Sequence, residues 1–333
     1  MAALILSEAE VTEHLPMAEC IDAMAAVLAA RARGEAQMPL RSVLRGEGSA
    51  GILGLMPAYR GGSDPAYSVK AVCIFPANAR LGLDAHQGIV TLFDGETGRP
   101  TAVLNGSAVT SIRTAAVTAL ATRVLAREDA RTLAVIGAGV QAAAHLRSLL
   151  LVRPFDRVRV YSRTIGHARE LVARARDELG GERDVSFEAA ESAREALDGA
   201  DVVVTATNSA EPVLEHGWLA PGAHVNAIGA SIPSSRELDV ATIANAELFV
   251  DSRESTANEA GEFRLALSEG AISGPDHIRA ELGEVLAGAR PGRSGPQALT
   301  VFRSLGIAVE DLAAAELALA RARRAGAGVE VEL

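Results

Sequence analysis

Among 32 basic residues the chain carries a single lysine, Lys70. A codon bias toward arginine explains why Arg is abundant, but it does not explain why one Lys remains. Arginine replaces lysine readily on a surface, but not where a compact ammonium or a titratable amine is needed. Lys70 is therefore read as a functional amine, one that can shift its pKa and exchange a proton. The second constellation is Ala134-Val135-Ile136-Gly137-Ala138-Gly139-Val140-Gln141-Ala142, a G-x-G-x-x-A pattern that follows a short apolar strand and opens a helix. Gly137 permits the tight turn, Gly139 lets the backbone approach a pyrophosphate, and Ala142 keeps helix and strand close. Residues Gly137, Ala138, Gly139, Val140 and Gln141 then present free N–H groups and the positive end of a helix to phosphates. The end of the next strand selects the dinucleotide. An acid there would hold the ribose 2′-hydroxyl, but the chain has Tyr161-Ser162-Arg163-Thr164. Nothing repels a 2′-phosphate and Arg163 can bind it, so Ser162, Arg163 and Thr164 point to NADP(H). NAD(H) stays open, because the choice rests on one side chain.

These groups need a frame. At 333 residues, one large or two modest domains are expected. Aromatics are only 3% of the chain, so the core must be built from Ala, Val, Leu and Ile, which suits helices packed on a parallel sheet. Residues 7–33 read as one helix capped by Ser7. Residues 38–105 switch to a period of two, predicting strands at 39–44, 51–58, 67–74, 88–93 and 100–104 in an antiparallel sheet, with a hairpin signal at Asp94-Gly95-Glu96-Thr97-Gly98. A long helix follows over about 107–125. From 133 onward strands and helices alternate, with strands expected at 133–136, 157–161, 185–188, 202–206, 224–228 and 246–250, as in a Rossmann-type doubly wound parallel sheet. A last helix is expected over about 300–325, returning to pack on the first domain. The segment Thr205-Ala206-Thr207-Asn208 lies just after a strand, where ligands bind in open α/β sheets, so it is expected to contact the dinucleotide.

Composition also excludes partners. A net charge of −10 argues against nucleic acid and against an anionic membrane surface. No apolar run approaches the roughly 20 residues of a membrane span, and the N-terminus lacks the pattern of a signal peptide. Cys20 and Cys73 follow neither metal-ligand nor disulfide spacing. A cytoplasmic protein without a structural metal is expected.

Several further segments resemble the ornithine cyclodeaminase and mu-crystallin family: Met38-Pro39-Leu40-Arg41, Ser68-Val69-Lys70, His86-Gln87-Gly88, Ser111-Ile112-Arg113-Thr114-Ala115-Ala116, Asn226-Ala227-Ile228-Gly229-Ala230-Ser231, Val250-Asp251-Ser252-Arg253 and Phe302-Arg303-Ser304-Leu305-Gly306. They run in family order over nearly the whole chain. The resemblance implies a homodimer. It also implies a substrate-binding and dimerisation domain of α+β type from residues 1–125 with 305–333, and an inserted Rossmann domain over 126–304. It places Arg41, Lys70 and Arg113 on the substrate carboxylate, and two guanidinium forks with one ammonium do suit a small carboxylate. Arg45 lies near Arg41 and is an alternative. His86 matches a family histidine that could relay protons near Lys70. Thr114, Ser304 and Gly306 are expected at the dinucleotide.

One departure narrows the activity. Where cyclodeaminases and archaeal alanine dehydrogenases of this family have an aspartate after Asn226, the chain has Ser231. A serine is a poor acid or base at neutral pH without an activating partner, and mu-crystallin-like ketimine reductases also have serine there. Ser231, Arg163 and His86 together point to reduction of a small cyclic imino acid, with Ser231 in a catalytic or cofactor-contacting place. The alternatives are ornithine cyclodeamination with retained NAD, an alanine-type amino acid dehydrogenase, and a non-catalytic cofactor carrier.

Overall fold

The computed structural model describes residues 2–179, 185–229 and 232–332. In chain order the elements begin with β1 (Ala3–Leu6), α1 (Glu8–His14), α2 (Met17–Ala32), β2 (Ala36–Gln37), β3 (Ser42–Leu44), β4 (Ile52–Arg60), β5 (Ala66–Ile74), β6 (His86–Asp94), β7 (Pro100–Asn105) and α3 (Gly106–Leu125). The middle of the chain holds β8 (Thr132–Ile136), α4 (Val140–Val152), β9 (Arg157–Tyr161), α5 (Ile165–Leu179), β10 (Ser186–Ala189), α6 (Ala193–Leu197), β11 (Val202–Thr205), β12 (His224–Ala227), α7 (Val240–Asn245), β13 (Glu247–Val250), α8 (Arg253–Glu259), α9 (Gly261–Ser268), β14 (Ile278–Glu281), α10 (Leu282–Leu286) and β15 (Thr300–Arg303). It closes with α11 (Ala308–Ala325) and β16 (Val329–Val331). Two compact units result, Met1–Ala116 with Gly306–Leu333, and Val117–Leu305. The first break falls inside α3.

The first unit is an α+β layer. Its sheet runs β16-β1-β7-β6-β5-β4-β2, with β3 also on β4. It is antiparallel as expected, except that β1 pairs β7 in parallel. The single helix read over 7–33 is two helices. Ser7 caps α1 in a capping box with Glu10, but Pro16 interrupts. Proline lacks an N–H and disfavours the helical conformation at Leu15, so α1 ends and α2 restarts with Pro16 as its cap. Helix α11 packs on β4, β5, β6, α1 and α2, so the last helix does return to the first unit. Its first two turns are fully enclosed, and small alanines there allow close approach.

The second unit is an eight-stranded, all-parallel sheet in the order β10-β9-β8-β11-β12-β15-β13-β14. The chain winds outward from β8 to β10, then returns to β11 on the other side of β8. The switch point therefore lies between β8 and β11. Strands β8, β11 and β12 are almost wholly enclosed, as parallel strands covered on both faces must be. One correction concerns the C-terminal helix: residues 300–303, expected as its first turn, are the buried strand β15 between β12 and β13. A run of four enclosed residues carries no alternation, so period alone does not separate strand from helix there. Strands β1, β14 and β16 are also absent from the sequence-based reading. Among the described residues no helix is long and apolar enough to cross a membrane.

Candidate active site

Lys70 sits at the middle of β5, in the cross-strand row Met56, Lys70, Val90 and Leu104. Its three row-mates are apolar and buried, and Lys70 itself is only 3% exposed. An ammonium in such a row needs partners, and α11 supplies them. Lys70 Nζ donates to Asp311 Oδ1 at 2.9 Å and lies 2.8 Å from Oδ2, with Thr110 Oγ1 of α3 at 3.3 Å. Burial lowers the Lys70 pKa to about 8 against the pull of Asp311, and the Arg113 and Arg41 guanidiniums push the same way as burial.

Arg113 shares that carboxylate. Its Nε donates to Asp311 Oδ1 at 2.9 Å and its Nη1 to Glu310 Oε2 at 2.8 Å. Burial alone would raise the Asp311 pKa, but Lys70 and Arg113 outweigh it and hold the carboxyl below its ordinary value. Arg41 joins through Gly306, whose carbonyl accepts from Arg41 Nη2 at 2.9 Å. Arg45 is exposed, and no described residue partners it, so Arg41 is the arginine of this cluster. Lys70, Arg113 and Arg41 thus gather with Glu310, Asp311 and the Gly306 carbonyl in one cluster.

Gly306, expected at the dinucleotide, is part of this cluster. Its φ is +72°, and an added Cβ would lie 2.5 Å from Arg113 Nη1. Only glycine provides both the left-handed turn and the room for the guanidinium. His86 begins β6, on the same sheet face as Lys70 and four residue pairs along the ladder. Its side chain is half-exposed, 4.0 Å from Asp84. Burial, with the Lys70 and Arg113 charges, holds its pKa below the usual imidazole value despite Asp84. It makes no hydrogen bond to Lys70, whose bonds go to Asp311 and Thr110, so no direct proton relay joins them. Thr114 donates its hydroxyl to the Thr110 carbonyl at 2.7 Å.

In the second unit the glycine turn has the shape a pyrophosphate requires. Gly137 has φ +124°, and a Cβ there would meet the Ala206 carbonyl oxygen at 2.5 Å. Around Gly139 a Cβ would meet nothing within 4 Å, so its backbone is open to a ligand. Gly139 caps α4 without a side-chain acceptor, leaving the first N–H groups of that helix to an external anion. Ala138 and Gln141 are half-buried and Val140 is exposed. At the end of β9, Arg163 and Thr164 are exposed and Ser162 half-buried. Arg163 makes no hydrogen bond or ion pair with a described residue. These groups fit a dinucleotide phosphate.

The loops after β11 and β12 are tied by Glu237, a fully buried residue that sequence reasoning missed. It accepts from Thr205 Oγ1 (2.8 Å), Thr207 N (2.6 Å), Thr207 Oγ1 (2.7 Å) and Gly229 N (2.7 Å). This corrects the role expected of Thr205: its side chain is enclosed and committed to Glu237, so it shapes the loop and offers a ligand no face. Ala206 and Thr207 are half-buried beyond it and Asn208 is exposed. Ser304 is likewise buried, with its hydroxyl 3.4 Å from Asp251 and its N–H on the Ala227 carbonyl, so its side chain is structural. Ser231 lies outside the described residues.

Glu310 and Asp311 were also missed. Two adjacent acids in the apolar stretch 305–315 are a visible signal, but acids in a first helical turn have an ordinary explanation in the helix dipole.

Residues 1–326 match the family described as ornithine cyclodeaminase/mu-crystallin. Ketimine reductase mu-crystallin of Mus musculus is 39% identical over 320 residues, covering 95% of this chain and 96% of that protein. The structure of Thermococcus litoralis Δ1-pyrroline-2-carboxylate reductase, in complex with NADH and L-proline, superposes with a TM-score of 0.94 at 35% identity, covering 98% of this chain and all of that one. An archaeal alanine dehydrogenase dimer with bound NAD superposes with a TM-score of 0.93 at 34% identity, each chain fully covered.

Proposed function

The chain belongs to the ornithine cyclodeaminase/mu-crystallin family, and from that premise we propose that it is an NAD(P)H-dependent reductase of a cyclic 2-carboxy imine, 1-pyrroline-2-carboxylate or 1-piperideine-2-carboxylate. The observation that carries this is the buried cluster in which Lys70 and Arg113 share Asp311 while Arg41 binds Gly306. Two guanidinium forks and one ammonium suit a small carboxylate. Arg41 and Arg113 are assigned to that carboxylate and Lys70 to the imine nitrogen. An imine accepts hydride far more readily once its nitrogen is protonated. Lys70 Nζ gives a proton to that nitrogen, or to the amine that forms, and is reprotonated from water. When bound, the dinucleotide supplies the hydride. The turn Gly137–Gly139 and the start of α4 are assigned to its pyrophosphate and Arg163 to a 2′-phosphate, which makes NADPH the preferred form.

A spectrophotometric panel tests both parts. Both cofactors are offered with the two cyclic imines, ornithine and alanine. Oxidation of NADPH, faster than of NADH, is expected with the imines. Proline and ammonia formed from ornithine with no cofactor consumed would replace this function with cyclodeamination, and equal rates with both cofactors would remove the role given to Arg163.

The homodimer is proposed on a separate observation. On the sheet face opposite Lys70, β4, β5 and β6 present Leu55, Ala71 and Ile89 in one row and Tyr59, Tyr67 and Phe93 in another. Leu55, Tyr67 and Ile89 are 39%, 48% and 46% exposed. So apolar an open sheet face suits a second copy. Sedimentation velocity at micromolar concentration is expected to give twice the 34.5 kDa chain mass. A monomer would refute it.

A further inference from the structure

The acids at the head of α11 have no part in the chemistry assigned above, yet they touch the two cations on which it depends. Asp311 is fully buried. Its Oδ1 accepts from both Lys70 Nζ and Arg113 Nε at 2.9 Å, while its Oδ2 lies 2.8 Å from Lys70. Elements far apart in sequence, β5, α3 and α11, therefore meet on one carboxylate.

The charged and titratable groups around Lys70 come from every element packed there. Arg113 is on α3, Arg41 lies just before β3, His86 is on β6, and Glu310 and Asp311 are on α11; Cys20 of α2, its thiol pushed up to about 12 mainly by burial, adds no charge at neutral pH. Burial and the two guanidiniums all favour the neutral amine. Asp311 is the negative group in contact with Nζ, and it opposes them. An ammonium has three N–H bonds. One goes to Asp311 and one to Thr110, which leaves one without a described partner.

We propose that Asp311 is a positioning residue: it holds Lys70 as an ammonium, fixes with Thr110 which N–H is left for the substrate, and sets the Arg113 guanidinium in register through the same carboxylate. The proposal rests on Lys70 as proton donor. In that step an N–H bond of the ammonium breaks, an N–H bond forms on the substrate nitrogen, and Lys70 is left as a neutral amine. Asp311 stays ionised throughout and exchanges no proton.

The single lysine makes the test direct. Whole protein labelled with 13Cε-lysine gives one lysine signal, whose pH titration is that of Lys70. The wild-type midpoint is expected near the lowered value of about 8. In Asp311→Asn it is expected to drop by about one unit or more, the size of a lost contact with an opposite charge, and the alkaline limb of kcat/KM should move with it. NAD(P)H fluorescence titration on the same sample reports folding. A folded Asp311→Asn protein with the wild-type Lys70 midpoint overturns the proposal. Should that variant not fold, Asp311→Glu keeps the charge and displaces it by one methylene. Its midpoint should stay near wild type while kcat falls, and a wild-type kcat overturns the positioning role. Lys70→Met separates the two ideas. Retained turnover there removes Lys70 as donor, whereas the effect of Asp311 on the Lys70 midpoint is decided by the titration alone.

Discussion

Lys70→Ala is expected to lower imine turnover by about 10²–10⁴-fold, the range associated with losing a positioned general acid, while NAD(P)H affinity stays at the wild-type value. The separation follows from placement. Lys70 belongs to the first unit, and the glycine turn and Arg163 belong to the second. Lys70→Met keeps most of the side-chain volume in the row between Met56 and Val90, so it separates lost chemistry from lost packing. Lys70→Arg is expected to fail as well, because a guanidinium keeps its proton at any working pH. The pH dependence carries a sign. The donor is competent while protonated, so wild-type kcat/KM should fall as pH rises through about 8, and the residual activity of Lys70→Met should lack that limb. Steady-state kinetics from pH 6 to 10 and fluorescence titration of cofactor check this. A Lys70→Met protein with wild-type turnover would exclude Lys70 from the chemistry.

The second large effect is at Arg113. Arg113→Ala removes a buried guanidinium from between Glu310 and Asp311. Glu310 and Asp311 then each lose the Arg113 ion pair in a fully enclosed place, and deleting one member of a buried pair costs about 3–5 kcal/mol. Removing a charged partner from a desolvated carboxylate weakens binding by about 2–5 kcal/mol, so KM for the imino acid should rise by about 30-fold or more. Chemical denaturation and steady-state kinetics measure the two effects separately. Arg113→Lys keeps a positive charge near Glu310 but not the planar fork, so it should recover part of the stability and little of the KM. An Arg113→Ala protein with unchanged KM would show that the substrate carboxylate is held elsewhere. Gly306 bears on the same result, since the guanidinium lies where a side chain at 306 would stand.

Much of the fold was legible where a local signal was strong. β9 and the C-terminal limit of α5 lie where the period and the turn residues put them. The glycine turn has the positive φ and close approach that its pattern demands. Legibility failed where two signals competed or none existed. Pro16 overrode a helical period that ran through it. Thr300–Arg303 is enclosed on both faces, so neither period marks it. β1, between β16 and β7, and the edge strand β16 are short and pair only with elements distant in sequence. In the cluster, Arg41, Lys70 and Arg113 had been singled out by type and by resemblance, but Asp311 and Glu310 had not, nor had Glu237 in the second unit. Nothing along the chain near 311 indicates that Lys70, 241 residues away, is its partner.

By itself, the sequence settled which functional groups exist: one lysine amine among many guanidiniums, a glycine turn of G-x-G-x-x-A pattern, and no acid at the end of the second Rossmann strand. Those are properties of side-chain type and short spacing, which survive in any fold that keeps the strand and helix around them. Only the tertiary structure decided their state. The Lys70 proton affinity, the anchoring of Arg113 and the place of Gly306 arise from burial against α11 and from carboxylates brought in from afar. Desolvation and Coulomb interaction depend on distance in space, and the order of residues along the chain does not contain that distance.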